Sequence, residues 1–269
     1  MEGPPTHALA DTLAAHLTGH PVERIHVPAG RWQANVLLHN CVGQVIQRIR
    51  AHGRWLFLDF SHGVTWATQL LAKAAWTLRL PGEPDRVLPG LPMVSLELRT
   101  GVKGCLSGRA TFLIMPTESL LTHAALRALG PDPLITPTFD IDFPHRLRRA
   151  ASRTLAAALV DQDIVAGLGP ALRSEILFAA GLAPSARVAT LLASDIDALT
   201  RIVAKTYADA TAAARRHQPV DYAVFDRPGQ PCPRCGTDIA EDHTGSDAQP
   251  LWFCPACQKI RETPGLFSV

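Results

Sequence analysis

The sequence predicts an α+β protein: a β-rich N-terminal half behind one helix, a helical second part, and a metal-stabilised tail. Three observations carry this. Short apolar segments separated by Gly and Pro turns run through residues 1–116. Helical apolar spacing replaces them from residue 117. Two C-x-x-C pairs, Cys232-Pro233-Arg234-Cys235 and Cys254-Pro255-Ala256-Cys257, stand eighteen residues apart near the end of the chain.

The opening helix is expected over 6–17, where Ala, Leu and His recur at helical spacing. Strands are expected at 23–27, 43–49, 54–60, 64–70, 74–79, 93–99 and 109–114, several of them parted by turns such as Ser61-His62-Gly63 and Pro81-Gly82-Glu83. That many short strands suggests a sandwich or a flattened barrel for a first domain of residues 1–116. Cys41 and Cys105 stand alone on strand-like segments and read as buried small hydrophobes.

A second domain, 117–222, carries helices expected over 118–129, 142–159, 170–180 and 193–216. Gly130-Pro131-Asp132-Pro133 ends the first of these, Gly181 closes the third as a C-cap, and Ser194 or Asp195 caps the fourth. Between the second and third lies Asp161-Gln162-Asp163-Ile164-Val165-Ala166-Gly167-Leu168-Gly169-Pro170. A tight turn with Gly167 and Gly169 opening onto a helix N-terminus suits a phosphate, because backbone N–H groups and the helix dipole both favour an anion there. With Arg173 after it and the basic run His145-Arg146-Leu147-Arg148-Arg149 before it, the segment reads as a helix–two-turn–helix that grips a nucleic-acid backbone. The basic runs at 145–153 and 215–217 fit a solvated helix face equally well.

The tail, 223–269, is too short to fold on its own apolar surface. Four thiolates, Cys232, Cys235, Cys254 and Cys257, complete a tetrahedral shell and leave no open position, so the expected ion is a structural Zn²⁺. Its binding supplies the missing folding free energy, roughly 10–16 kcal/mol in finger peptides. Two disulfides are the alternative, which the absence of a secretory signal disfavours.

Composition bounds the rest. A hydrophobic fraction of 47% in 269 residues supports two real cores, and a net charge of +2 selects no partner class. No apolar run is long enough to span a bilayer, and Met1-Glu2-Gly3-Pro4-Pro5 does not begin a signal peptide. The expectation is a soluble, cytoplasmic monomer.

Four segments in one order now acquire a common meaning: Glu2-Gly3-Pro4; Leu129-Gly130-Pro131-Asp132-Pro133-Leu134; Asp161-Gln162 with Val165 to Gly169 leading into Glu175 to Gly181; and Gly229 to Gly236 with Trp252 to Gln258. Together they resemble the formamidopyrimidine-DNA glycosylase / endonuclease VIII family over nearly the whole chain. Gln249-Pro250-Leu251-Trp252-Phe253-Cys254 is most similar to the endonuclease VIII branch. The resemblance implies an N-terminal β-sandwich, a helix–two-turn–helix domain and a zinc β-hairpin finger. It implies a bacterial-type, nucleoid-associated repair enzyme whose partner is DNA with damaged bases. Such an enzyme flips the damaged nucleotide from the stack and attacks C1′ with its N-terminal amine. Glu2 falls where the family keeps its catalytic carboxylate. An α-amine, with a pKa near 8 against roughly 10.4 for lysine, is far better supplied with neutral nucleophile at neutral pH.

The chain departs from the family where the family touches DNA. Met1 replaces the terminal proline, so a primary amine replaces a secondary one and weaker lyase activity is expected. Arg54 stands for a hairpin lysine, keeping the charge but not the ability to give up a proton. Gln69 and Ala72 fall in the stretch that normally holds a histidine and a bulky plug, with Leu71 as the plug if the register shifts. Pro170 replaces an asparagine that binds phosphate, and Gln249 replaces a finger arginine. Two readings remain: a glycosylase with altered lesion or DNA-structure preference, or a non-catalytic protein that binds damaged DNA or abasic sites. Glu2 favours the first.

Overall fold

The computed structural model describes residues 1–28, 34–71, 73–84, 90–243 and 249–260. Helix α1 (Gly3–Leu17) starts three residues before the expected position. Pro4 and Pro5 fall in its first turn, where a missing N–H leaves no hydrogen bond unmade. Its buried stripe, including Thr6, His7, Ala10, Leu13 and Leu17, follows helical spacing.

Strands β1 (Val22–His26), β2 (Ile46–His52), β3 (Trp55–Phe60), β4 (Val64–Leu70), β5 (Ala75–Arg79), β6 (Pro92–Leu98), β7 (Lys103–Ser107) and β8 (Ala110–Pro116) make two four-stranded antiparallel sheets. Their orders are β1-β6-β7-β5 and β2-β3-β4-β8. Both sheets send alternate side chains into one core: Val22, Trp76, Leu96 and Leu106 from the first, Ile46, Leu58, Trp66 and Phe112 from the second. The fold is therefore a sandwich. Helix α1 packs against β2 and β3.

Two strand-level expectations change. β7 is absent from the expected strands, although Cys105 reads as strand-like; Lys103-Gly104-Cys105 carries no apolar run, and backbone pairing to β5 and β6 makes it a strand. Cys41 lies in the turn after the one-turn helix α2 (Val36–His39), not on a strand. It is fully buried, and burial pushes its thiol up to about 12, so it packs as a small hydrophobe. Cys105 is only half-buried.

The helix expected over 118–129 resolves into a 3₁₀ turn (Thr117–Leu121) and α3 (Ala124–Arg127). Thr122 Oγ1 donates to the Ser119 carbonyl at 3.1 Å, and His123 Nδ1 accepts from the Ala125 N–H at 3.3 Å. Such side chains compete with the helical ladder and break it. The helix expected over 142–159 divides into α4 (Phe139–Arg149) and α5 (Leu155–Val160). Thr154 caps α5, accepting from the Ala157 N–H at 3.3 Å. Between the two helices, the Ala151 and Arg153 carbonyls accept from Ala189 and Val188 at 3.0 Å, which turns the chain out of the helical path.

Helix α6 (Pro170–Ala180) begins on a proline and ends at Gly181 in the left-handed conformation, φ 63°, as its C-cap. Helix α7 (Ala193–Arg215) is capped through Asp195, whose carboxylate accepts from the Leu192 N–H at 3.1 Å; Ser194 lies within the first turn. Phe143, Leu159, Leu172, Ile176, Leu199 and Tyr207 belong to a second core. The finger hairpin pairs β9 (Ala240–Asp242) with β10 (Leu251–Phe253). The chain forms two compact units that divide between Arg127 and Ala128. The 3₁₀ turn and α3 thus belong with the sandwich, and the finger belongs with the helices. No described helix is long and apolar enough to cross a membrane.

One close approach locks the start of the helical unit. The Gly130 N–H donates to the Gln162 carbonyl at 2.7 Å, and a Cβ on Gly130 would stand 2.7 Å from the Ile164 carbonyl carbon. Backbone cannot yield as a side-chain tip does. Gly130→Ala should lower stability by about 1–3 kcal/mol in urea denaturation; an unchanged midpoint would contradict this packing.

Candidate active site and nucleic-acid interface

Glu2 is the N-cap residue of α1, in extended conformation. Thr6 Oγ1 donates to its carbonyl at 2.8 Å, which fixes the entry of the chain into the helix. The Glu2 carboxylate makes no capping bond to the helix. The Met1 ammonium donates to the Leu70 carbonyl, the last residue of β4, at 3.4 Å. Burial holds this amine below its ordinary value; the nearby Arg54 guanidinium lowers it further, and Glu2 opposes them.

Arg54 occupies the second position of a two-residue hairpin between β2 and β3, closed by the His52–Trp55 pair. Gly53 has φ 55° while Arg54 keeps a negative φ, the pattern of a type II′ turn, in which glycine is required at the first position. Gln69 pairs with Trp55 on the neighbouring ladder and is half-buried. Met1, Glu2, Arg54 and Gln69 therefore belong to one region, around the end of β4. Leu71 follows, 43% exposed, with its N–H on the Arg109 carbonyl at 3.1 Å. Ala72 lies outside the described residues.

In the second unit the Gly-rich turn is built from inside. Gln162 donates through Nε2 to the Val160 and Leu168 carbonyls at 2.9 and 3.0 Å and accepts from the Gly167 N–H at 2.8 Å. Arg146 reaches the Asp163 carbonyl at 2.5 Å, and Arg153 pairs with Asp161. Gly167 has φ 93°, a backbone state that favours glycine. Its N–H is thus engaged with Gln162, and Gly167 and Gly169 are both buried. These glycines shape the turn; the expectation that the Gly167 N–H is open to a phosphate is corrected.

Arg173 is a larger correction. It is fully buried, and its guanidinium donates to the Gln249 and Pro250 carbonyls at 3.3 and 2.7 Å. It cannot meet DNA from there; it holds the finger loop that carries Gln249. Gln249 itself is half-buried. The sequence places Glu175 near the DNA through local positioning, but gives no sign of its anchoring of residues 223–225 or of the contacts of Arg234 and Gln258. Glu175 accepts the N–H groups of Ala223, Val224 and Phe225 at 2.8–2.9 Å. Arg234 donates to the Phe178 carbonyl at 2.7 Å and lies over the Phe178 ring, 4.1 Å from its centroid. Gln258 bridges the Cys254 N–H and the Leu182 carbonyl. No spacing rule signals these, because their partners are backbone groups distant in sequence.

Cys232, Cys235, Cys254 and Cys257 place all four sulfurs within 4.8 Å of one another. The Cys232–Cys257 and Cys235–Cys254 pairs stand 3.9 and 3.5 Å apart. A tetrahedral ion with metal–sulfur bonds of about 2.3 Å requires sulfurs about 3.8 Å apart. All four are free thiols, so the disulfide alternative is excluded in this structure. The donors fit one tetrahedral ion.

A family model for the formamidopyrimidine-DNA glycosylase H2TH domain matches residues 129–218. Endonuclease 8 of Salmonella agona and of Escherichia coli are each 30% identical to this chain, over 96% of it and 99% of their own length. The chain belongs to the formamidopyrimidine-DNA glycosylase / endonuclease VIII family. Among solved structures, Lactococcus lactis Fpg with DNA containing an abasic site superposes with a TM-score of 0.83 at 20% identity, covering 97% of this chain and 100% of that one. MutM in complex with DNA containing carbocyclic 8-oxo-G gives 0.82 at 20% identity, with the same coverage. These neighbours share the fold over nearly the whole chain.

Within this family fold Arg173 is a framework residue, and its removal separates framework from surface. Arg173→Ala removes a fully buried donor from two part-buried carbonyls and should lower stability by about 1–3 kcal/mol. A residue that only met phosphate at the surface would change the denaturation midpoint by less than about 0.5 kcal/mol.

Proposed function

We propose that this protein is a DNA-repair glycosylase that removes a damaged base, with the Met1 amine as nucleophile and Glu2 as general acid and base. The observation that carries the reading is the terminal amine itself. It is half-buried at the end of β4, its proton affinity is lowered by burial and by Arg54, and the Glu2 carboxylate adjoins it. An α-amine in that state has a lone pair available at neutral pH.

In the proposed reaction the damaged nucleotide is flipped out of the stack. The Met1 nitrogen forms a bond to C1′ as the bond from C1′ to the base breaks, and the base leaves with that electron pair. The new secondary amine loses a proton to the Glu2 carboxylate. Its lone pair then opens the sugar ring, giving a C=N bond, and Glu2 returns the proton to O4′. The resulting iminium still carries an N–H, unlike the one a proline would form. It can lose that proton and become a neutral imine, a poorer electron sink. Elimination of the 3′ phosphate should therefore be weak beside base release.

Arg54 is proposed to meet a backbone phosphate, Gln69 and Leu71 to lie against the opened stack, and Gln249 to approach the DNA from the finger. Each is half-buried or exposed, so each retains a face for a partner. The four-cysteine site is proposed to hold Zn²⁺, which would order the finger loop and take no part in the chemistry.

The deciding assay uses labelled oligonucleotides with oxidised pyrimidines, formamidopyrimidines or an abasic site, in duplex and single-stranded form, with borohydride in a parallel set. Base release should fall at least about 100-fold in Glu2→Gln, and borohydride should trap an adduct on the Met1 peptide of the wild type. Binding without product on every substrate would favour a damage-recognition protein instead. Removal of the metal with a strong chelator should unfold the finger and abolish DNA binding, while the melting transition of the sandwich persists. Full DNA affinity after verified metal loss would refute the structural role.

A further inference from the structure

The proposed active site contains an electrostatic conflict. A carboxylate close enough to move protons for the amine also stabilises that amine as an ammonium, and Glu2 does act in this direction on Met1. An ammonium has no lone pair. Burial of the amine opposes Glu2 first, and a nearby fixed positive charge opposes it further.

Arg54 stands in the position to do so. The amine rests on the Leu70 carbonyl at 3.4 Å. One residue earlier, Gln69 pairs with Trp55. Arg54 immediately precedes Trp55 at the tip of the β2–β3 hairpin, and Leu70 immediately follows Gln69, so extending this register by one residue sets Arg54 opposite Leu70. The tight turn led by Gly53 fixes its backbone, and the side chain is half-buried. A guanidinium keeps its proton throughout the physiological range, so this positive charge is permanent. Like charges near each other in a partly desolvated site interact more strongly than in water. Among the described residues, Lys73, on the turn after β4, and Arg109, on the β7–β8 turn, also carry positive charge near this end of β4. The charges that act on the amine are Arg54, which lowers its proton affinity, and Glu2, which raises it.

We propose that Arg54 is a positioning residue for the nucleophile: held at the hairpin tip next to the end of β4, where the Leu70 carbonyl holds the Met1 amine, its fixed charge counterbalances the Glu2 carboxylate so that both groups can work together. This role is separate from any phosphate contact. Its catalytic consequence rests on Met1 being the nucleophile; the electrostatic effect does not.

The test reads the amine directly, without DNA. Protein tagged only at its C-terminus is treated with an amine-acylating reagent across about pH 5.5–9, a range that brackets the usual α-amine pKa. Modification of the N-terminal peptide is then followed by mass spectrometry. Arg54→Gln should move the labelling profile to higher pH and slow labelling at neutral pH roughly two- to fivefold. Glu2→Gln should move it the other way, and Arg54→Lys should keep the wild-type profile because it keeps the charge. Arg54→Met, which retains the aliphatic stem, replaces Arg54→Gln if that variant melts early. A wild-type profile in a folded neutral variant would overturn the proposal. So would an Arg54→Lys profile that shifts like Arg54→Gln, since that outcome assigns a packing role. Because no DNA is present, failure here leaves the glycosylase assay untouched, and an inactive glycosylase leaves this result untouched.

Discussion

Three consecutive residues of α6 hold backbone groups from later in the chain, and the C-terminal half of the molecule depends on them. Arg173 takes the Gln249 and Pro250 carbonyls, Ser174 Oγ accepts from the Trp252 N–H at 3.3 Å, and Glu175 takes three N–H groups at 223–225. Successive helical residues point about 100° apart, so the finger and the segment leading into it are held around the helix from several directions. Buried charges without partners would strongly destabilise the fold, whereas here each meets backbone dipoles of the right sign. Arg234 adds a return contact, capping the last carbonyls of α6 from inside the first C-x-x-C pair. A tail with a small core of its own, Ile239 and Trp252 among its few apolar members, is ordered by this frame together with its four thiolates.

The sandwich solves a different problem at its N-terminus. A helix that starts on Gly3-Pro4-Pro5 makes the preceding residue an N-cap and leaves the terminal amine to find its own partner. That partner is the carbonyl at the end of β4, which the hairpin register sets next to a permanent cation. The Glu2 carboxylate, the Met1 amine and the Arg54 guanidinium thus form one electrostatic unit whose members come from two distant stretches of sequence. The properties of the amine belong to the unit and not to Met1.

The face expected to grip DNA is leaner than the family resemblance implied. The Gly167 N–H is committed to Gln162, Arg173 to the finger, and Arg146 and Arg153 to the two-turn segment itself. Of the basic residues that read as a phosphate patch, Arg146, Arg153 and Arg173 are internal supports of the turn and the finger, while His145, Arg148 and Arg149 stay exposed. Pro170 fits the first position of α6 without strain, and it offers no donor. Fewer phosphate contacts mean a shallower dependence of binding on salt.

The sequence by itself determined the local features. The C-x-x-C spacing defined the four-cysteine cluster, Gly181 the end of α6, Pro170 its beginning, and short apolar segments between turns seven of the eight sandwich strands. Each of these follows from chemistry within a few residues: ligand geometry, a glycine's tolerance of positive φ, a proline's missing N–H, the two-residue period of a strand. Tertiary structure decided what such periods cannot encode. It made Lys103–Ser107 a strand through its neighbours' unpaired backbone groups. It broke the 142–159 helix by offering the 151–153 carbonyls partners at 188–189. It turned Arg173 inward because carbonyls 76 and 77 residues away needed a donor. A charged residue reads alike in sequence whether it faces water, a phosphate or a buried carbonyl; only the packing around it tells these apart.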